Sequence, residues 1–306
     1  MIVATIGFFD GVHRGHQYLI QQVQEEALHR GARSLLITFN LHPRSVFSPD
    51  SAPQLLTTAE EKMALLRATG VDDIYILPFD RTMAELTAQE FMQQVLKQQL
   101  GVTALVISYD HRFGKRTDPN LTRDGGEGFE EYQAYGRELG IDVVPARELT
   151  GEHVSSSAIR RLLTGGDVAA ASRLLGRPYT WSGRVVHGHE VGRQLGFPTA
   201  NLEGIEPTKM LPAKGVYAVV CTIHPKMIHS KAMLNIGRRP TLDNGTDISV
   251  EVHLFDFNED LYDRTLTLSF VTRLREEQRF DSEAELTEQL QRDRAAALKA
   301  LTNHCK

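Results

Sequence analysis

The stretch Ile2-Val3-Ala4-Thr5-Ile6-Gly7-Phe8-Phe9-Asp10-Gly11-Val12-His13-Arg14-Gly15-His16 decides how the first half of this chain is read. Ile2–Ile6 is a short apolar run of the kind buried on both faces of a parallel sheet. It breaks at Gly7 and passes into a polar segment where a helix is due to start. In an open α/β sheet the crevice beyond the strand ends is where ligands bind. A helix start adds unpaired N–H groups and partial positive charge, which suit phosphate. His13 and His16 stand three apart, and Gly15 between them permits close backbone approach. Two imidazoles there can donate hydrogen bonds to oxygens that gain charge in a transition state. The same spacing also describes an ordinary solvated helix start, and spacing alone leaves the two readings level.

Working outward, Ser34–Phe39, Ile74–Leu77, Ala104–Ser108 and Asp142–Val144 are further short apolar runs. Thr58 with Glu61, and Thr87 with Glu90, fit the capping box that starts a helix, while Gly70 and Gly101 sit where helices end. Strand–helix alternation at this spacing predicts a parallel α/β sheet with right-handed crossovers. After Gly176 the texture changes: Arg177-Pro178 breaks a helical segment, and strand-like runs follow without long helices between them. Gly183–Val186, Val216–Ile223, Ala232–Ile236, Ser249–Phe255 and Thr265–Thr272 are the candidates, punctuated by Gly and Pro as in an antiparallel barrel or sandwich. In the last of them Leu266, Leu268 and Phe270 share one face. A final helix starts at Ser282, with Glu285 in the capping-box position. The expectation is a parallel α/β domain over 1–178 and a β-barrel with a terminal helix over 179–306.

A length of 306 residues is consistent with two such domains. With 34 basic and 39 acidic residues the net charge is −5, and no long basic run is present. A polyanion is therefore repelled on average, and no nucleic-acid partner is expected. Cys221 and Cys305 are too few for a disulfide framework or a CxxC zinc site. His187 and His189 hint at a metal pair, but no third ligand stands at zinc spacing. Met1–Gly7 is too short for a signal peptide, and no run reaches the roughly 18 apolar residues of a membrane span. No membrane partner is expected, and the chain is read as cytoplasmic. Walker A, HExxH and GxSxG motifs are missing, which removes the main support for P-loop kinase, zincin and α/β-hydrolase readings.

Two sets of motifs carry a family resemblance over nearly the whole chain. Gly7 to His16 resembles the HxGH signature of nucleotidylyltransferases, in the form typical of bifunctional riboflavin kinase/FMN adenylyltransferases. Val154-Ser155-Ser156-Ser157-Ala158-Ile159-Arg160 resembles that family's ISSTxIR segment, with Ser157 in the Thr position. Phe39-Asn40-Leu41-His42-Pro43 resembles FDPHP, with Asn-Leu in place of Asp-Pro, and Ser108–Gly114 resembles the flavin-contacting GxDFxFG loop. In the second half, Leu195-Gly196-Phe197-Pro198-Thr199-Ala200-Asn201 resembles the PTAN motif of riboflavin kinases. Val250–Leu254 and Leu274-Arg275-Glu276-Glu277-Gln278-Arg279-Phe280 match further kinase segments.

The resemblance implies a Rossmann-like nucleotidylyltransferase domain followed by a riboflavin kinase barrel. It implies that riboflavin and ATP give FMN in the second, and that FMN and ATP give FAD and pyrophosphate in the first. Glu251 would be the kinase base, while Thr199 and Asn201 would hold Mg²⁺ and ATP phosphates, with Gly192 nearby in the nucleotide loop. His13, His16 and Arg160 would act in adenylyl transfer. Gly7, Phe8, Asp10, Gly15, Ser156 and Ser157 would bind the nucleotide, and His42, Asp110, Phe113 and Arg275 the flavin. Mg²⁺ suits such a donor set, since it prefers hard oxygens with phosphates completing the shell. An enzyme with one live activity, or a flavin-binding regulator without turnover, are the competing readings.

Overall fold

The computed structural model describes residues 1–47, 52–115, 128–187, 196–238 and 248–302. By packing, the chain divides into two compact units, 1–154 and 155–306.

The first unit is a five-stranded sheet in the order β3-β2-β1-β4-β5, every pairing parallel. Its strands are β1 (Ile2–Ile6), β2 (Arg33–Phe39), β3 (Asp73–Leu77), β4 (Ala104–Ile107) and β5 (Asp142–Pro145). All five coincide with the apolar runs to within a residue at each end; in β1, β2 and β4 the cause is burial on both faces, which needs an unbroken apolar core. The helices are α1 (Arg14–His29), α2 (Pro43–Phe47), α3 (Ala59–Arg67), α4 (Arg81–Ala84), α5 (Ala88–Phe91) and α6 (Phe129–Leu139), with a π-helical continuation of α5 over Met92–Gln99. Both capping boxes form: Thr58 and Thr87 accept from the amides of Glu61 and Glu90, whose carboxylates accept from the cap amides. Ala4 and Ile6 of β1 pack into one core cluster, whereas Val3 packs with Val23 and Ala27 of α1 in another. The sheet is therefore covered on both faces. The chain leaves β1 toward β2 and β3, then returns to the other side of β1 as β4. That reversal creates a topological switch point, and Gly7–His16 follow the central strand at its carboxyl end.

The second unit begins with α7 (Ser156–Gly165) and α8 (Val168–Leu175) and continues into a closed barrel ordered β10-β7-β6-β11-β8-β9. The strands are β6 (Thr180–Val186), β7 (Ala200–Gly204), β8 (Gly215–Ile223), β9 (Ile228–Arg238), β10 (Ile248–Leu254) and β11 (Thr265–Arg275), all paired antiparallel. Leu266, Leu268 and Phe270 are at most 1% exposed, as their alternation requires. The terminal helix α9 (Glu283–Ala300) buries Ala297, and Leu301 just beyond it, against Phe197, Ala218, Met233 and Phe255. Its start is half a capping box: Ser282 accepts from the Glu285 amide, while the Glu285 carboxylate accepts from the Asp281 amide. β7 is a strand absent from the sequence candidates. It closes the barrel between β6 and β10 and carries Asn201.

Candidate active sites

In the second unit, a cavity of about 350 Å³ opens among the segment before β7, strands β8, β9 and β10, the end of β11 and α9; Asn201 itself does not line it. Register sets its polar wall. Glu251 of β10 is the direct partner of Asn201 on β7 and of Asn235 on β9, so three polar side chains meet across adjacent strands. Thr199, Asn235, Glu251, His253 and Glu277 line this wall, and Phe197, Met233, Phe280, Leu286 and Leu290 supply the apolar side. A concave apolar site with a few convergent polar groups is the usual form of a small-molecule pocket. Among the described residues no hydrogen bond or ion pair engages the Glu251 carboxylate or the Thr199 hydroxyl. The carboxylate is half-buried at a pocket wall, which is where a base must stand.

His253 fixes the loop before β7. Its Nδ1–H donates to the Pro198 carbonyl at 2.7 Å, and its ring meets Phe197 edge-on at 5.4 Å. Desolvation holds its pKa below the ordinary histidine value, so the neutral ring persists. Arg275 lines the cavity, but its guanidinium is taken by Asp293 of α9 in a bidentate pair, with Nε–Oδ1 and Nε–Oδ2 at 3.0 Å and Nη2–Oδ2 at 2.7 Å. It is thereby a fastener for the helix wall of the pocket. Gly192 and His189 lie outside the described residues. His187 stacks on Tyr262 with centroids 4.0 Å apart.

In the first unit, the loop after β1 is held by contacts distant in sequence. The Asp10 carboxylate, 4% exposed, accepts from the Leu56 amide at 2.9 and 3.1 Å and from the Thr57 amide at 3.2 Å. Its inward oxygens therefore anchor the loop to the start of α3. Gly7 donates to the Ile37 carbonyl at 3.0 Å, and Phe8 meets the His42 ring edge-on at 4.8 Å. His13 caps α1, its Nδ1 accepting from the His16 amide at 3.3 Å. The two imidazoles stack at 3.6 Å and 16°. Because His13 Nδ1 accepts, the proton of its neutral ring sits on Nε2. His16 is held well below the ordinary histidine pKa, first by desolvation and then by the His13 charge. Its buried Nδ1 has no protein partner among the described residues. Gly15 permits the stack, since a Cβ there would stand 3.2 Å from two atoms of the His13 ring.

The remaining residues read from sequence are placed as follows. Asn40 Oδ1 accepts from the Leu41 and Phe79 amides at 2.9 Å, so it shapes the loop leading to His42. Ser108 donates to Asp110 at 2.6 Å. Phe113, half-buried, stacks on Tyr132 at 4.3 Å against the core, whereas Tyr109 is 59% exposed and is the aromatic that this loop offers to solvent. Burial pushes the nearby His111 down to about 4. In the second unit, Ser155 caps α7 through the Ala158 amide, leaving Ser156 and Ser157 as its first two residues. Arg160 follows at the i+4 and i+3 positions, which share a side of a helix.

Comparison with known proteins agrees with this division of chemistry. A family described as FAD synthetase matches residues 1–158, and one described as riboflavin kinase matches 175–301. Relatives named bifunctional riboflavin kinase/FMN adenylyltransferase include one from Escherichia coli K12, 42% identical over 96% of this chain and 91% of that relative. Others are from Pseudomonas fluorescens, 40% identical over 96% and 91%, and from Bacillus subtilis, 33% identical over 98% and 93%. A solved structure titled as a macrolide-efflux protein from Streptococcus pneumoniae superimposes with a TM-score of 0.83 at 31% identity, covering 99% of this chain and 94% of that one. Among the described residues here, no helix is long and apolar enough to cross a membrane. Matched along both halves by these families and relatives, the chain belongs to the bifunctional riboflavin kinase/FMN adenylyltransferase family.

Proposed function

We propose that the chain makes FMN and then FAD, with residues 179–306 phosphorylating riboflavin and residues 1–178 adenylylating FMN. One observation carries most weight: the Glu251 carboxylate, unengaged among the described residues, on the wall of a cavity of about 350 Å³ and directly across from Asn201. In the kinase step Glu251 takes the proton of the terminal ribityl hydroxyl as its oxygen bonds the γ-phosphorus of ATP, and ADP leaves. A positioned base of this kind contributes about 10²- to 10⁴-fold. The Thr199 hydroxyl and Asn201 carboxamide are hard oxygen donors, few in number, and fit a magnesium ion whose shell is completed by phosphates. Such an ion, when bound, would neutralise phosphate charge during transfer. His253 keeps Thr199 in place by holding the Pro198 carbonyl.

In the adenylyl step an FMN phosphate oxygen attacks the α-phosphorus of ATP, the α–β bridging bond breaks, and pyrophosphate leaves. The nucleophile is already anionic, so no base is required. His13 and His16 serve as hydrogen-bond donors to phosphate oxygens, and the family resemblance implies the same chemistry for Ser156, Ser157 and Arg160. Gly7, Phe8 and Asp10 shape the nucleotide loop, while His42 and the Asp110–Phe113 loop face the flavin. ATP, riboflavin and FMN are the partners, and a cytoplasmic setting suits them.

Glu251→Gln and His16→Ala, assayed separately with riboflavin and with FMN, test the assignment. The first abolishes FMN formation and leaves FAD formation from supplied FMN nearly intact; the second does the reverse. Loss of both activities in either variant would contradict the two-site reading.

A further inference from the structure

Lys62 on α3 is 5% exposed. Its ammonium donates to the Phe39 carbonyl at 2.9 Å, lies 3.4 Å from Thr38 Oγ1, and stands 4.0 Å from the centroid of the Phe8 ring. Thr38 in turn donates to the Phe8 carbonyl at 3.2 Å. The group therefore links the end of β2, which runs on to His42, with the loop after β1. Among the described residues no carboxylate stands within ion-pairing distance of it; Asp10 acts on it from farther away. Desolvation lowers its pKa to about 8, so the cation persists at neutral pH.

A buried cation without a direct counter-ion is costly, and an unbranched apolar side chain of similar length fills such a slot without that cost. The expense makes sense if the charge itself is used. The ammonium stands over the π-face of Phe8, and the Phe8 and His42 rings meet edge-to-face at 4.8 Å. A fixed positive charge behind a low-dielectric wall acts on anions in front of it far more strongly than one in water. Both substrates of adenylyl transfer are anions: a flavin phosphate monoester and a nucleoside triphosphate.

We propose that Lys62 is a positioning residue of the adenylyltransferase site, supplying behind the Phe8 ring a buried positive charge that draws the two anionic substrates to the Gly7–Asp10 loop. This rests on the FMN-adenylylating reading of the first unit. Because the charge acts on bound substrates and transition state alike, its loss falls mainly on KM.

The test is Lys62→Met in the full chain, with wild type in parallel. FAD formation from FMN and ATP should lose about 10-fold in kcat/KM, mainly through higher KM for both substrates. Riboflavin phosphorylation should be unchanged, and thermal stability by calorimetry equal or higher, since relief of the buried charge offsets the bond lost to the Phe39 carbonyl. Activity and stability thus move in opposite senses, which a merely structural lysine cannot produce. FAD formation within about twofold of wild type would overturn the proposal. So would a loss of FAD formation accompanied by a lower melting temperature. Wild type forming no FAD would instead fail the underlying reading, and the proposal with it.

Discussion

Asp293→Asn isolates the clasp between the barrel and its terminal helix. Asp293 is 4% exposed on its side chain and Arg275 19%, and three N–O contacts join them, with Gln289 donating to Asp293 at 2.8 Å. Removing one partner of a fully buried pair costs about 3–5 kcal/mol. The guanidinium here keeps some water and the amide oxygen still accepts one bond, so the expected loss is about 2–3 kcal/mol. Trp181, the sole tryptophan, is 5% exposed on β6 and reports barrel unfolding by fluorescence. With a urea dependence of roughly 2 kcal/mol per molar, the midpoint should fall by about 1 M. The clasp also holds the wall formed by Phe280, Leu286 and Leu290, so the KM for riboflavin should rise while FAD formation from supplied FMN is unaffected. An unchanged midpoint would refute the claim that this pair fastens the helix. A fall in FAD formation would refute its confinement to the kinase site.

Gly15→Ala places a methyl 3.2 Å from the His13 ring, so the ring must shift by a few tenths of an ångström and the His13–His16 cap lengthens; FAD formation should drop about 10-fold with riboflavin phosphorylation untouched, as read by product chromatography. His111 has its folded pKa lowered to about 4 from 6.5, so the unfolded chain binds more protons between those values. Its burial is therefore without penalty above pH 6.5, and stability falls with acidification toward pH 4 by about 2–3 kcal/mol, discounted for the partial exposure of the ring. His111→Asn should flatten that part of the stability–pH curve measured by circular dichroism, and an unaltered slope would show that another group sets it.

The parts of the fold that were legible in sequence rest on local patterns. The five parallel strands are continuous apolar runs, and Thr58/Glu61 and Thr87/Glu90 announce their helices through contacts three residues apart. β7 was not legible, because Asn201, Glu203 and Gly204 give Ala200–Gly204 no apolar alternation, and its strand character comes from pairing with β6 and β10. The motif residues were found by resemblance, yet what several of them do depends on partners far along the chain. Asp10 answers to amides 46 and 47 residues away, and Arg275 to a carboxylate 18 residues on. Nothing in the sequence sets Lys62 apart from the other polar residues of α3; its burial follows from how α3 lies against the end of β2. The stacking of His13 on His16 depends on the missing Cβ of Gly15, which spacing alone does not reveal.

The central claim, two successive chemistries on one chain, is tested most directly by a chromatographic time course of riboflavin with ATP and Mg²⁺, resolving riboflavin, FMN and FAD. The account predicts that FMN rises first and then declines as FAD accumulates. FMN accumulating without FAD would contradict the adenylyltransferase half, and an absence of turnover from both riboflavin and supplied FMN would contradict the account as a whole.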